Sequence, residues 1–446
     1  MIRRFRFPAL LALVVGLIAL GIVSSDSAVT ATGNEPGDVI PGRYIVVLEE
    51  GVSPGAVLAD YGLAASHVYR SALSGFAAVV PQGRLQALAR DSRVAFVEPD
   101  RRYTVADQTK PTGIDRIEAD KNPTADIDQG AGSETPIDKD VAIIDTGINN
   151  HSDLNLQGSV DCTKKGCPPG GNDGYGHGTH VAGTVGAKDN SIGVVGVAPG
   201  VRLRSVKVCN NGGICLNSNM IAGINWVIGR RNEAKDGSGD GDPGINFAAA
   251  NMSLGTSNNN TPCSQSSSDA LRNAVCRLVA SGVPLALAAG NESTTKVCYE
   301  AAICVSAMAD FDGKGGGVAP ATCRSDQDDT LANFSNFGLT IDIAAPGVCI
   351  LSTSSSGGYA LGSGTSMAAP HVAGAVALYL QANGLPPATD RAGADDIRNA
   401  IIGAALPQGT INHPCSYNNE RGFNEPLLFV NATAFGGNGS CDVVAP

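Results

Sequence analysis

The chain has 446 residues, which is enough for at least one large hydrophobic core and for two or three domains. Its 31 basic and 42 acidic residues give a net charge of −11, and nearly all of this imbalance falls after residue 106. An acidic main body without a basic stripe argues against nucleic acid and against an anionic membrane surface as partners.

The N-terminus has the pattern of an export signal. Three arginines within the first six residues form a positively charged start, residues 8–23 are almost wholly apolar, and small residues follow. The apolar run is shorter than the ~20 residues that a membrane-spanning helix needs. We therefore predict a signal peptide over residues 1–28 and a secreted protein that has no membrane contact once the signal is removed. An uncleaved membrane anchor is the alternative.

Residues 39–106 are predicted to form a separate, cysteine-free module. Apolar patterning and helix-start signals give the order β-α-β-β-α-β, which is the ferredoxin-like arrangement. The predicted elements are strands at Arg43–Leu48, His67–Tyr69, Phe76–Val80 and Val94–Val97 and helices at Ser53–Tyr61 and Pro81–Asp91. A small module of this kind between a signal and a cysteine-bearing body is typical of a pro-region. A permanent N-terminal domain is the alternative.

Residues 107–446 alternate short apolar strands with helical stretches. The predicted strands are Val141–Ile144, Leu203–Val208, Ala248–Met252 and Val283–Ala288, and the predicted helices are His177–Val185, Met220–Arg230, Ser268–Ser281 and Ser366–Gln381. This alternation predicts an α/β fold of three layers, with a central, mostly parallel sheet between helices. Sites in such sheets gather at the carboxyl ends of the strands. Asp145 stands at one such end and Asn291 just past another.

All 12 cysteines lie after residue 160, and an even number of cysteines in an exported chain indicates disulfides. The simplest assignment pairs near neighbours, although the spacing does not settle the connectivity. These pairs are Cys162–Cys167, Cys209–Cys215, Cys263–Cys276 and Cys298–Cys304. Zinc ligation is the alternative, but the chain has no CxxC pair and only 6 histidines. Residues 412–446, with Cys415 and Cys441, are predicted to form a disulfide-tied tail.

Asp145, His177 and Ser366 are the three residue types that a serine hydrolase needs. A serine hydroxyl is a poor nucleophile at neutral pH, so it requires a nearby base and a third group that orients this base. Asp145 follows a strand, His177 starts a helix between glycines, and Ser366 stands in the segment GTSMAAP. Each residue alone is also typical of a turn, a helix start or a helix cap. Together, in this order along an exported α/β chain, they favour catalysis.

Several motifs occur in order along the main body: Ala142–Gly147, Gly176–Gly183, Ser253–Gly255, Ala288–Asn291 and Gly364–Pro370. Together they strongly resemble the subtilisin-like serine peptidases, or subtilases. The order Asp, His, Ser is the subtilisin order and differs from the orders in chymotrypsin and in α/β-hydrolases. The resemblance extends over nearly all of residues 107–400. The N-terminal module similarly resembles the subtilase pro-region, which acts as a folding chaperone and an inhibitor.

The resemblance implies a role for each matching catalytic residue. Ser366 would attack the scissile carbonyl, and His177 would take the serine proton and pass it to the leaving amine. Asp145 would orient His177 and stay ionised. Asn291 would donate its side-chain amide to the oxyanion, together with the backbone N–H of Ser366.

The resemblance also implies how substrate is bound and how the enzyme is made. Ser253, Leu254 and Gly255 match the strand that pairs with an extended substrate backbone. We expect a monomeric endopeptidase that acts on protein or peptide substrates and needs no cofactor for its chemistry. Its own pro-region, residues 39–106, would inhibit it until the chain cuts itself near Ala106.

Four Gly- and Asn-rich inserts are predicted to be surface loops: residues 166–174, 236–244, 256–262 and 312–330. Subtilases commonly bind calcium, and Asp236, Asp240 and Asp242 in one insert offer carboxylates that suit a hard cation. Asp310 and Asp312 are a second, weaker candidate for calcium binding. A solvated acidic loop is the alternative in both places.

Three residues beside the motifs have less specific patterns. Glu292 matches a family position near the primary specificity pocket, or it is an ordinary surface carboxylate. His180 and His371 are predicted to be structural.

Two rival functions fit less well. An esterase or lipase would carry GxSxG around its nucleophile, and an inactive binding protein on this scaffold would lack one of the chemical residues.

Overall fold

The structure, a computed structural model, describes residues 38–71, 73–102, 108–127, 135–237, 243–254, 259–316, 319–408 and 417–431. They belong to two compact units, one within Met1–Val105 and one within Ala106–Pro446. The predicted signal peptide and the predicted cleavage region near Ala106 lie outside the described residues. Among the helices that the structure describes, none combines the length and the apolar character that a membrane span requires.

The first unit is an antiparallel sheet with two helices. Its elements are β1 (Asp38–Leu48), α1 (Pro54–Asp60), β2 (Ala65–Tyr69), β3 (Gly75–Val79), α2 (Gln82–Ala89) and β4 (Val94–Arg102). The strand order is β2-β3-β1-β4, and every pairing is antiparallel. Val46, Phe76 and Leu88 are fully buried in one core that strands and helices share. The ferredoxin-like prediction is therefore confirmed.

The second unit alternates strands and helices along most of its length. Its elements are α3 (Thr112–Arg116), β5 (Asp140–Asp145), β6 (Leu156–Asp161), α4 (His177–Gly186), β7 (Arg202–Lys207), α5 (Asn217–Asp236), β8 (Phe247–Met252), α6 (Ala270–Ala280), β9 (Leu285–Ala288), β10 (Ile303–Ala309), β11 (Thr330–Leu331), β12 (Ile343–Pro346), β13 (Ile350–Ser354), β14 (Gly358–Gly362), α7 (Thr365–Ala382) and α8 (Arg391–Ala404). The strands and helices predicted from the sequence are all present. Strands β6, β10, β11 and β12, the β13–β14 hairpin and helices α3 and α8 were not predicted.

The central sheet has the strand order β11-β10-β9-β8-β5-β7-β6, and β12 also pairs with β10. Its pairings are parallel except that between β10 and β11. In β5, Val141 and Ile143 join the core shared with α4 and α7, whereas Ala142 and Ile144 join the core shared with α5 and α6. Because successive side chains of a strand face opposite sides, both faces need helical cover. The three-layer prediction is confirmed.

The four predicted near-neighbour disulfides are formed, and a fifth joins Cys323 to Cys349. Cys415 and Cys441 lie outside the described residues. Part of the predicted tail, residues 417–431, is built into the core. Leu428 N donates to Ala344 O at 2.8 Å, so this segment lies along β12.

The insert at residues 312–330 differs from the predicted surface loop. Its residues 320–325 are exposed, but Asp326, Asp328 and Asp329 are buried. Arg116 lies 2.8 Å from an Asp329 oxygen. A buried carboxylate is stable only with a cation or several donors beside it. The surface-loop prediction is wrong for this part of the insert, because Arg116, far away in sequence, pairs with Asp329 in the interior, and backbone N–H groups donate to Asp326 and Asp328.

Candidate active site

Asp145 and His177 are brought together by the ends of two elements. Asp145 is the last residue of β5, and His177 is the first residue of α4. Gly178 permits this approach, because a Cβ atom there would lie 2.2 Å from Gly147 O. The Asp145 side chain is fully buried, whereas 22% of the His177 side chain stays exposed. The site therefore has a buried acid behind a partly accessible imidazole.

The Asp145 carboxylate orients His177 and makes it more basic. His177 Nδ1 lies 2.7 Å from Asp145 Oδ1, which also accepts a hydrogen bond from Thr146 N. Burial opposes the charged imidazole, but the charge and hydrogen bond of Asp145, aided by Asp173, raise the pKa of His177 above its ordinary value. With Nδ1 engaged by the carboxylate, Nε2 is the nitrogen free to accept a proton.

Asp173 is a buried residue that sequence reasoning missed. Its Oδ1 accepts hydrogen bonds from Thr146 Oγ1 at 2.8 Å and Gly176 N at 2.7 Å, and its Oδ2 accepts one from Thr179 N at 2.9 Å. Burial would raise the pKa of Asp173, but these hydrogen bonds outweigh it and hold the pKa below its usual value. Asp173 thus fixes the start of α4 and keeps a negative charge near His177. The only signal was an acidic residue just before a helix start.

Ser366, the second residue of α7, is tied to Ser253 at two points. Ser366 Oγ donates to Ser253 O at 3.1 Å, and Ser253 Oγ donates to Ser366 O at 2.9 Å. In a regular helix the carbonyl of Ser366 would accept from the N–H four residues later, but Pro370 has no N–H. Ser253 supplies the missing donor. The end of β8 is thereby fixed to the start of α7.

Asn291 lies just beyond β9, and Thr365 orients its side chain. Asn291 Oδ1 accepts hydrogen bonds from Thr365 N at 2.9 Å and from Thr365 Oγ1 at 3.0 Å. A Cβ atom built on Gly364 would lie 3.5 Å from Asn291 Nδ2 and 3.6 Å from Ser366 N. Two N–H donors therefore border one space beside Ser366. Such a space can stabilise a negatively charged oxygen.

The residues of the predicted triad belong to two separate hydrogen-bonded pairs, one of which includes Ser253. Asp145 is bonded to His177 and Ser366 to Ser253, and the hydrogen bonds among the described residues include none between His177 and Ser366. Helices α4 and α7, which carry these two residues, pack against each other. Catalytic hydrogen bonds are often long or absent until substrate binds. The Ser366 hydroxyl can leave Ser253 by rotation about a single side-chain bond.

Two of the three predicted substrate-binding residues are described. Ser253 and Leu254 directly follow β8, and Gly255 lies outside the described residues. Glu292 is largely exposed, accepts a hydrogen bond from Asn336 Nδ2 at 2.5 Å and lies 3.7 Å from Lys296 Nζ. Glu292 is thus a partly paired surface carboxylate next to Asn291.

The two other histidines of the motifs are buried. His180 Nε2 lies 3.1 Å from Ile350 O and 3.0 Å from Ala360 O, so it connects α4 to the β13–β14 hairpin. His371 is fully buried in α7, and burial lowers its pKa to about 4. Both arrangements agree with the predicted structural roles.

The residues proposed as calcium ligands differ in how well they could bind an ion. The loop from Asp236 to Asp242 lies mostly outside the described residues. Asp310, Asp312 and Asp328 offer oxygen atoms within 4.8 Å of one another. Asp310, however, already lies 2.9 Å from Arg116 Nε, and burial raises its pKa well above the ordinary value. This cluster therefore contains its own cation.

A second group of oxygen atoms surrounds the side-chain amide of Gln108. Gln108 Nε2 donates hydrogen bonds to Lys188 O at 2.6 Å, Val194 O at 3.0 Å and Ile192 O at 3.4 Å, while its Oε1 is buried without a hydrogen bond. These carbonyls and Oε1 fit a common ion only when the amide is turned over, so that Oε1 takes the place of Nε2. Asp153, which is also fully buried, accepts a hydrogen bond from Val194 N. Carbonyl, amide and carboxylate oxygens are the ligands that calcium prefers.

Comparison with known proteins identifies the family. A model described as the Subtilase family matches residues 139–424, which is more than half of the chain. The chain belongs to the subtilase family. A second model, described as Peptidase inhibitor I9, matches residues 56–106 of this subtilase. The protein is therefore a subtilisin-like serine endopeptidase made as a precursor with an N-terminal inhibitor domain.

Individual relatives agree with this assignment. The subtilase is 36% identical to an alkaline protease of Alkalihalobacillus alcalophilus over 74% of this chain and 73% of that protein. It is 38% identical to subtilisin E of Bacillus subtilis (strain 168) over 68% of this chain and 70% of that protein. Among solved structures, a cold adapted subtilisin-like serine proteinase matches with a TM-score of 0.51 and 29% identity, covering 72% of this chain and 97% of that one.

Proposed function

We propose that this subtilase is a secreted endopeptidase that cuts peptide bonds through Asp145, His177 and Ser366 and matures by cutting itself. The observation that carries the proposal is the 2.7 Å contact between His177 Nδ1 and Asp145 Oδ1. It leaves the opposite nitrogen of a partly exposed, more basic imidazole available on α4, which packs against the helix that begins at Ser366. A base held in this way can activate a serine hydroxyl.

The reaction then follows in two stages. His177 Nε2 takes the proton of Ser366 Oγ while the oxygen attacks the scissile carbonyl, and the protonated imidazole gives its proton to the leaving amine. In the second stage, water attacks the acyl-enzyme while His177 takes a proton from that water. His177 then returns the proton to Ser366 Oγ, and the second product is released. Asp145 stays ionised and stabilises the imidazolium. Its buried position, without competing solvent, strengthens that interaction.

Asn291 Nδ2 and Ser366 N would bind the oxyanion that forms in each stage. Their convergence beside Gly364, and the hydrogen bonds by which Thr365 orients Asn291, support this assignment. Preorganised donors of this kind need no rearrangement when charge develops.

Ser253, Leu254 and Gly255 would pair with the extended backbone of the acyl part of the substrate. The position of Ser253 and Leu254 directly after β8, with Ser253 bonded to the nucleophile, supports this role. Pairing through the backbone accepts many sequences, so side-chain preference must come from neighbouring pockets.

We further propose a structural calcium ion bound by Gln108, Asp153 and the carbonyls of Lys188, Ile192 and Val194. With the Gln108 amide turned over, Oε1 would face the three carbonyls in place of Nε2 and gain a partner, and the ion would neutralise the buried Asp153 carboxylate, whose pKa burial raises. We expect a chelator to lower the melting temperature of the wild-type protein and to have much less effect on an Asp153→Asn variant. An equal effect on both would place any ion elsewhere.

The test of the main proposal is the mass of the purified precursor over time. Wild-type protein should lose the residues up to about Ala106, whereas a Ser366→Ala variant should keep them. Ser356→Ala is the matched control, because Ser356 is an exposed serine in the β13–β14 turn. If the Ser366→Ala precursor matures as fast as the control in a protease-free preparation, self-processing through Ser366 is wrong.

A further inference from the structure

A disulfide anchors the exposed part of the 312–330 insert close to the nucleophile. Cys323 is bonded to Cys349, and Ser363 contacts both, because its Oγ accepts a hydrogen bond from Cys349 N at 2.9 Å and lies 3.9 Å from Cys323 Sγ. Ser363 stands three residues before Ser366, and three residues of chain span at most about 11 Å. The insert is therefore fixed beside the segment that carries the nucleophile.

Arg324, the residue after Cys323, reaches the site by a second and independent contact. Its guanidinium carbon lies 4.9 Å from the centre of the Phe334 ring, a typical cation–π arrangement. Phe334 O in turn accepts a hydrogen bond from Ser293 N at 2.8 Å, and Ser293 is two residues after Asn291. Arg324 is thus fixed between the nucleophile segment and the loop that carries the oxyanion donor.

The guanidinium of Arg324 is held along one edge and open along the other. Its Nε donates to Asp326 Oδ2 at 2.9 Å, and the fully buried Asp326 also accepts a hydrogen bond from Asn333 N at 2.7 Å. The Arg324 side chain is 42% exposed, and its two terminal nitrogens make no hydrogen bond to the part of the chain that the structure describes. A planar guanidinium held in this way matches the two oxygens of a carboxylate.

We propose that Arg324 selects substrates with an acidic side chain on the leaving-group side of the scissile bond. This inference rests on the proposed function, in which the acyl part of the substrate lies along Ser253 and Leu254. The Cys323–Cys349 disulfide and Ser363 fix the insert to the chain just before Ser366, and we assign the insert to the side of the site that the acyl part leaves free. In a chain of net charge −11, a fixed and exposed cation beside the site attracts a carboxylate.

Matched peptides test the proposal on the mature enzyme. Internally quenched peptides would carry Asp or the isosteric Asn at each of the three positions after the scissile bond, and at each of the three before it. For one position after the bond, we expect kcat/KM for Asp to exceed that for Asn about three- to fivefold, the size of a partly exposed ion pair. The ratio should fall to about one in Arg324→Gln. Raising the ionic strength should reduce the wild-type ratio in the same way.

Arg277→Gln is the matched control, because Arg277 is exposed on α6, which covers the opposite face of the sheet. It removes the same charge and should leave the ratio unchanged. A wild-type ratio of one at all three leaving-group positions, or a preference only on the acyl side, would overturn the role of Arg324 while hydrolysis continues. Failure to cut any of the peptides would instead count against the proposed function. If Arg324→Gln does not fold, the wild-type ratio still tests the proposal, because a ratio that does not fall with ionic strength would exclude an exposed cation such as Arg324.

Discussion

The proposed catalytic residues and the 312–330 insert belong to the same unit but are held in different ways. Asp145, His177 and Ser366 stand at the ends of β5, α4 and α7, whose buried side chains fill a shared core. The insert has little regular structure and depends on buried ion pairs and one disulfide. The chemistry is thus supported by many packing contacts and the insert by a few local ones. Single substitutions should therefore separate catalytic loss from loss of stability or selectivity.

The largest effect is expected at the buried acid of the site. Asp145→Asn keeps the shape of the side chain but removes the charge that holds the His177 tautomer, so kcat should fall about 10⁴-fold, as it does when the aspartate of other serine-protease triads is neutralised. The rate of peptide hydrolysis by the mature enzyme measures this fall in kcat. Asp138→Asn, at an exposed aspartate just before β5, is the control. A loss of less than tenfold in Asp145→Asn would remove Asp145 from the triad.

The next effect concerns the insert and is one of stability. Arg116→Met leaves the buried carboxylates of Asp310 and Asp329 without their cation, which should lower the free energy of unfolding by about 3–5 kcal/mol. Arg391→Met, which breaks a more exposed pair on α8, should cost about 1 kcal/mol or less. Denaturant unfolding in a Ser366→Ala background, followed by fluorescence of the single tryptophan, measures both. Equal costs would show that the insert does not depend on Arg116.

A smaller catalytic effect is expected at the oxyanion donor. Asn291→Ala should lower kcat about 10²–10³-fold with little change in KM, because the amide acts mainly on the transition state. This magnitude is carried over from subtilisin itself, the system in which it was measured. Asn383→Ala, at the exposed end of α7, is the control. A change in KM alone would make Asn291 a binding residue instead.

The smallest effect is a shift of the pH profile. His177 acts as a base only when it is neutral, so kcat/KM should rise with pH as His177 loses its proton. Because Asp145 and Asp173 raise the pKa of His177, this acidic limb should lie above the unperturbed value of about 6.5. Asp145→Asn should move the limb to lower pH, and Asp173→Asn should move it less. An unmoved limb in both variants would assign the titration to another group.

The sequence allowed most of the fold to be predicted and supplied the proposed catalytic residues, because both depend on local patterns. β5 is a continuous apolar run that ends at Asp145, and α7 starts at a glycine-flanked serine. Strand β6 was missed because four of its six residues are exposed or polar, and β12 because four residues carry too little pattern.

The features that could not be predicted arise from contacts between distant parts of the chain. Asp173 has no motif of its own, and its role comes from hydrogen bonds to Thr146 and Thr179. The polar composition of the insert is typical of a surface loop. The position of Arg116, 213 residues earlier, explains why Asp329 is buried. The contact of Cys323 with Ser363 is equally invisible in the sequence.

The most direct test of the catalytic assignment is acylation of the nucleophile by a serine-directed inhibitor, located by mass spectrometry of peptides from the mature enzyme. We predict one adduct on Ser366, with a rate that rises with pH as His177 deprotonates. The adduct should form far more slowly in a His177→Ala variant matured by added wild-type enzyme. An adduct on another serine, or an unchanged rate in His177→Ala, would contradict the assignment of Ser366 and His177 as nucleophile and base.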